Sequence, residues 1–189
     1  RSREDIEKLR DEERFVVMDV RGDLQALDLD ELEELSEKGS PFFEGNPYVA
    51  RALQTHKKLK KFERVSVFLS PLSQAELAEL KEEPSVDLPR LVADVMRRKL
   101  LRRTQKQKTI LSGPDLEDIE RRAGNAFEEL KAARHFDYVV PNHDGEDSDN
   151  WDAFYFPLGD ARRALRAVAA ILGGDEPPDW VENWKDETI

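Results

Sequence analysis

Seven cations fall between Arg97 and Lys108: Arg97, Arg98, Lys99, Arg102, Arg103, Lys106 and Lys108. No acid occurs between Met96 and Pro114. Arg98 and Arg102 stand four apart, which on a helix places both guanidinium groups on one face. Arg122 is spaced to approach them from a following helix. A planar guanidinium donates two parallel hydrogen bonds to an oxyanion, so a cluster of this kind is suited to clamping phosphate. The plainer alternative is a solvated basic face that pairs with the chain's own acids. A nucleic-acid surface is the third alternative. It is disfavoured because removing these seven charges from the net −11 leaves −18 on the rest of the chain.

Two further groups of residues invite chemical readings. Asp144, Glu146, Asp147, Asp149 and Asp152 crowd one loop and offer oxygens to Ca²⁺ or Mg²⁺, but the EF-hand spacing is missing and a solvated loop is the simpler reading, so no metal site is expected. His143 beside Asp144 has the pairing of a general base, yet no serine or cysteine nucleophile motif accompanies it. The aromatic run Phe154-Tyr155-Phe156 and Trp151 read as core or interface rather than a stacking platform.

Composition narrows the frame around these groups. The chain has 189 residues, no cysteine and three histidines, which excludes a disulfide scaffold, an iron–sulfur cluster and a thiolate zinc site. No apolar stretch reaches the ~20 residues of a membrane span and no signal-peptide core is present, so a cytoplasmic protein without membrane partners is expected.

The elements that must position the cluster follow from pattern. Ser2 caps a short first helix, and Arg14 to Val20 reads as a strand closed by Arg21-Gly22-Asp23. A polar helix carrying Leu29, Leu32 and Leu35 comes next, then a weak strand over Pro41–Glu44 and a helix opened by Asn46-Pro47. Val65–Leu69 is the clearest buried strand, followed by a capping box, Ser73-Gln74-Ala75-Glu76. Helices are expected from Leu91 to about Leu111 and from Asp115 to about Arg134, with a strand over Asp137–Pro141 and a helix from Gly159-Asp160. The residues from Gly173 on read as a mobile tail, from which Trp180 and Trp184 fold back onto the body. Strands alternating with helices indicate an α/β fold with a largely parallel sheet, whose ligands sit beyond the carboxyl ends of the strands.

Three stretches carry a resemblance. Val65-Ser66-Val67-Phe68-Leu69-Ser70-Pro71-Leu72-Ser73 is similar to a strand ending in a Pro-x-Ser turn; Leu116 to Ala123, with Glu128-Glu129-Leu130, is similar to a helix after a lid; and His135-Phe136-Asp137-Tyr138-Val139-Val140-Pro141-Asn142 follows an H-aromatic-D-Y-V-x-x-N strand. In order and spacing they resemble the guanylate kinase family of P-loop nucleoside monophosphate kinases. The resemblance implies a parallel-sheet core flanked by helices. It also implies ATP with Mg²⁺ as cofactor in the intact protein and a nucleoside monophosphate as phosphoryl acceptor. Arg98 and Arg102 fall at the family's lid arginines and Arg122 at the arginine of the next helix, the groups that contact the transferring phosphoryl. Asn142 falls at the Asn near the adenine, and Asp19 is the nearest counterpart of the base-reading acid.

The departures are equally specific. The chain contains no G-x-x-x-x-G-K-[ST], so it lacks a backbone cradle, a phosphate lysine and a Mg²⁺-holding hydroxyl. Gly22-Asp23-Leu24-Gln25-Ala26-Leu27 replaces the family's G-N-Y-Y-G-[ST], and Asn46 stands where a carboxylate is expected. The resulting expectation is a guanylate-kinase-like fold without its N-terminal P-loop unit, beginning at Arg1 within a longer protein. Residues 1–64 form the nucleoside-monophosphate part, 65–175 the core with a basic lid at about 90–114, and 176–189 a tail. As a lid, the basic run should project from the sheet and be poorly packed. Two functions are open: ATP-dependent phosphoryl transfer in the intact protein, with this chain alone inert and holding no cofactor tightly, or a non-catalytic guanylate-kinase-like interaction module.

Overall fold

The computed structural model describes residues 2–185. The chain divides into two compact units, Arg1–Arg64 and Val65–Ile189. The expectations for Arg1 and for the last four residues of the tail lie outside the described residues.

The first unit opens with α1 (Arg3–Lys8), whose Ser2 and Asp5 form a reciprocal capping box. Strands β1 (Phe15–Val20) and β2 (Asp23–Asp28) pair antiparallel with Val20 opposite Asp23. That register leaves Arg21 and Gly22 as a two-residue turn, and both have positive φ, 55° and 89°. This is the turn whose twist matches that of hairpin strands, and it suits glycine at its second position. The sequence pattern does not anticipate β2, since Asp23-Leu24-Gln25-Ala26-Leu27-Asp28 is made of weak strand formers. Pairing with β1 and burial of Leu24 place it there. Asp28 then caps α2 (Leu29–Lys38) through the amides of Asp30 and Glu31. Pro41–Glu44, expected as a weak strand, is irregular, as are the two residues after it, and the chain leads on to α3 (Pro47–Thr55), capped by Asn46 with Pro47 in its first turn. Val20, Leu24, Leu29, Val49 and Leu59 are the unit's buried apolar side chains.

The second unit is built on a parallel pair, β3 (Val67–Ser70) and β4 (Tyr138–Pro141), with Val67 opposite Tyr138. Between them run α4 (Gln74–Glu82), α5 (Leu88–Gln107) and α6 (Gly113–Lys131), and α7 (Gly159–Gly173) follows β4. The molecule is thus mixed α/β, with one parallel and one antiparallel pair among the described residues. Helices start where short polar side chains can take the first free amides: Ser73 with Glu76, Asp87, and Ser112 with Asp115.

Apolar residues cover both faces of the parallel pair, as such sheets require. On one side Val139 packs with Leu77, Val92, Ala126, Leu130 and Trp184. On the other, Val140 packs with Ala164 and Ala167 of α7, flanked by Val67 and Val181. Trp184, near the end of the expected tail, is among the most buried side chains of the core. Just before it, Glu182 exchanges both backbone hydrogen bonds with Val139 at 2.8 Å.

Helices α5 and α6 pack against each other along their length. Ile119, Ala123, Ala126 and Leu130 form a buried stripe of α6 at helical spacing. The basic run from Arg97 to Lys106 is therefore the second half of one continuous helix, anchored by Leu88, Val92 and Leu100, and Lys108 is the extended residue that ends it. It does not stand off from the sheet, because Leu100 in its midst is buried.

Candidate functional site

A cleft of about 590 Å³ lies beyond the carboxyl end of β4, lined by Arg102, Gln105 and Lys106 of α5 and by His143, Asp144 and residues 147–150 of the following loop. Its walls are set by hydrogen bonds that begin at the strand end. The Asn142 amide donates to the Ser70 carbonyl at 2.8 Å, closing the parallel ladder. The buried Asn142 side chain accepts from the Asp144 amide at 3.2 Å, an Asx turn that aims the chain into the loop.

Asp144 organises that loop. One carboxylate oxygen accepts from the Ser148 hydroxyl at 2.9 Å and the Asn150 side-chain amide at 2.7 Å. The other accepts from the Ala161 amide at 2.7 Å. Leu158, the residue before α7, has no side-chain cap to offer, so Asp144 caps that helix from a distance. Burial works against its negative charge, but these donors outweigh it and hold the carboxyl below the usual range. Gly159 passes close by with φ 53°, where a Cβ would come within 2.8 Å of the Asn150 amide nitrogen and 3.0 Å of the Asp144 carboxylate. The acidic loop is therefore tied down by protein donors. Among the described residues, no group of three or more His, Asp or Glu is disposed to hold a metal ion.

His143 is bracketed by carboxylates. Its Nε2 lies 2.9 Å and 3.0 Å from the two oxygens of Glu76, and its Nδ1 bonds Asp160. Partial burial opposes the positive charge, but the hydrogen bonds from Asp160 and Glu76 prevail and the imidazole titrates above its ordinary value. With both ring nitrogens engaged, it is a charged clamp between α4 and α7 rather than a base with a free lone pair. Glu76 also accepts from the Ser73 amide at 2.7 Å, so one carboxylate completes a capping box and holds the histidine.

Most of the basic run has partners within the fold. Arg97 reaches Glu120 of α6 at 2.7 Å, and also Asp94. Arg103 pairs with Glu146 at 3.1 Å and Lys106 with Asp149 at 2.7 Å, while Lys108 bonds Asp115. Lys99 is the most enclosed: its ammonium donates to the Asn142 carbonyl at 2.7 Å. Burial lowers its pKa, and the nearby Asp147, Asp144 and Asp160 only partly oppose that.

The five residues singled out in the sequence are thus distributed. Arg98 is exposed and turns its Nε back to the Asp94 carbonyl of its own helix. Arg102, on the same face, overhangs the cleft with no carboxylate within ion-pair distance among the described residues. Arg122 is half-buried on α6, 3.9 Å from Asp118. Asn142 sits at the strand end behind the cleft wall. Asp19 belongs to the first unit's hairpin, where it accepts from the Gly22 amide at 2.8 Å and faces Arg3 at 3.7 Å. The sequence shows the Ser73–Glu76 capping box, but neither the meeting of Glu76 with His143 nor the burial of Lys99, both of which depend on contacts distant along the chain. No protein-family model, curated protein or solved structure matches the chain.

Proposed function

We propose that this chain is the phosphate-binding part of a guanylate-kinase-like nucleotide kinase. In this reading Arg98, Arg102 and Arg122 stabilise phosphoryl charge and Asn142 lies near the adenine of ATP. One observation carries it: Arg102, which favours the charged form of the nearby Asp149 but makes no ion-pair contact with it, overhangs a polar cleft beyond the carboxyl end of a parallel strand. Ligands of parallel α/β folds bind there. Phosphoryl transfer demands charge and position from the protein rather than covalent chemistry, which an overhanging arginine can supply. The residues present do not make a cradle for the β- and γ-phosphates or a Mg²⁺ ligand set. In this proposal those groups come from outside residues 2–185.

The test is titration of the chain with ADP and with pyrophosphate, followed by NMR. Weak binding is expected, with a dissociation constant on the order of 1 mM. Arg102→Ala should weaken it about tenfold, the worth of one charge-assisted hydrogen bond. Binding that is unchanged in Arg102→Ala, or no binding at low salt, removes the phosphate reading.

The second reading, a non-catalytic guanylate-kinase-like interaction module, is favoured by the aromatic run. Phe154, Tyr155 and Phe156 touch edge to face, yet Tyr155 is 98% exposed. Exposed aromatic side chains in contact with one another are characteristic of recognition surfaces.

A further inference from the structure

The cleft beyond β4 has a cationic rim and an acidic floor, and every residue lining it belongs to the second unit. Arg102 and Lys106 stand exposed at the rim, where Lys106 is paired with Asp149. The floor carries Asp144 and Asp147. Three protein donors already bond the Asp144 carboxylate. Asp147 is only 8% exposed, yet among the described residues no donor bonds its carboxylate and no cation comes within ion-pair distance of it.

The loop is built around this group. The Gly145 carbonyl is held by the Trp151 indole, which donates to it at 2.6 Å. A Cβ at Gly145 would lie 3.1 Å from Asp147 Oδ1 and 3.4 Å from Lys99 Cδ, so the backbone there packs against both the carboxylate and the stem of Lys99. The Lys99 ammonium feels the charge of Asp147 but donates instead to the Asn142 carbonyl. Both Asp147 oxygens keep surface that solvent can reach, and it opens into the cleft. An enclosed carboxylate without a donor is costly, and such groups in folded proteins are as a rule hydrogen-bonded.

We propose, on the phosphate reading of this cleft, that Asp147 accepts hydrogen bonds from the ribose hydroxyls of a nucleotide whose phosphates lie at Arg102. Adjacent 2′- and 3′-hydroxyls offer two O–H donors side by side, the complement of a carboxylate with two free oxygens. Hydrogen bonds from hydroxyls to an ionised acceptor are short and strong. Lys99 already places a cation near Asp147, so neutral donors suit this floor better than a second ammonium. A nucleotide laid this way carries its anion to the cationic rim and its hydroxyls to the acidic floor, and a volume of about 590 Å³ suits a ligand of that size. The arrangement selects ribonucleotides, because a ligand lacking the hydroxyls leaves the buried carboxylate unpaired.

NMR titration of the unaltered chain with ADP, 2′,3′-dideoxy-ADP and pyrophosphate tests this. ADP should bind about tenfold more tightly than its dideoxy form, the worth of one charge-assisted hydrogen bond. Asp147→Asn should abolish that preference while binding pyrophosphate at least as tightly as before, since it removes a negative charge from the floor. If Asp147→Asn fails to fold, the side-chain carboxyl carbon of Asp147 in the unaltered chain replaces it, and its resonance should move with ADP and not with dideoxy-ADP. Arg102→Ala should weaken all three ligands and leave the preference for ADP intact. The two readings therefore fail separately. Pyrophosphate binding indifferent to Arg102→Ala removes the phosphate reading, whereas equal affinity for ADP and dideoxy-ADP, or a preference that survives Asp147→Asn, overturns the role of Asp147. If pyrophosphate does not bind at all, adenosine and 2′,3′-dideoxyadenosine carry the test alone, and equal or absent binding of the two overturns the proposal.

Discussion

His143 and Glu76 are separated by 67 positions in the chain, and the imidazole Nε2 meets the carboxylate at 2.9 Å. With Asp160 on the other nitrogen, the contact joins the end of β4 to the starts of α4 and α7. It sets a pH dependence whose sign can be worked out. His143 has a raised pKa, so its contribution is complete below about pH 6.5 and is lost as pH rises through the folded value. Glu76 and Asp160 have lowered pKa values despite partial burial, so theirs is present above about pH 4.5 and is lost as acid protonates them. The cluster is therefore most stabilising between those limits. Urea unfolding at a series of pH values should show stability falling from pH 6 to pH 8 by under about 1 kcal/mol, since the groups are partly exposed. His143→Gln should flatten that slope, and an unchanged slope would refute the clamp.

Asp144 holds three donors and caps α7 without being adjacent to it. Asp144→Ala should cost about 1–2 kcal/mol, the upper range for loss of a cap, because Ser148 and Asn150 lose their acceptor as well. Glu146→Ala removes only an exposed ion pair from the same loop and should cost under about 1 kcal/mol. Thermal unfolding of the two variants side by side measures the difference, and equal losses would contradict the role given to Asp144.

Two glycines should respond oppositely to alanine. At Gly159 the backbone has φ 53° and a Cβ would collide with Asn150, so Gly159→Ala should destabilise by more than about 1 kcal/mol. At Gly124, within α6 and with open space around its Cβ, alanine should stabilise by about 0.5–1 kcal/mol. Chemical denaturation decides both signs.

The chain by itself should show no ATP-dependent phosphorylation of GMP or another nucleoside monophosphate, because it contains no loop to position the β- and γ-phosphates. A coupled assay showing turnover that disappears in Arg102→Ala would overturn this.

What the sequence determined by itself is what depends on neighbours a few residues away. Ser73 and Glu76, Ser112 and Asp115, and Asn46 before Pro47 announce their helices because a cap joins groups within three positions. The strands β1, β3 and β4 show in runs of β-branched and aromatic residues, and α6 shows as the helix expected from Asp115. Tertiary structure alone decided β2, whose residues have little strand preference until β1 pairs with them, and the irregularity of residues 41–46, where Phe42 and Phe43 are exposed. It also decided the character of the basic run. Composition alone left open whether Arg97 to Lys108 stands free in solvent or lies on the fold. Burial of Leu100 and the acids of α6 and the loop after β4 fixed it in place, leaving Arg102 over the cleft. The physical reason is range: capping and periodicity are local, whereas the charge state of His143 and the desolvation of Lys99 are set by groups that only the folded chain brings within 3 Å.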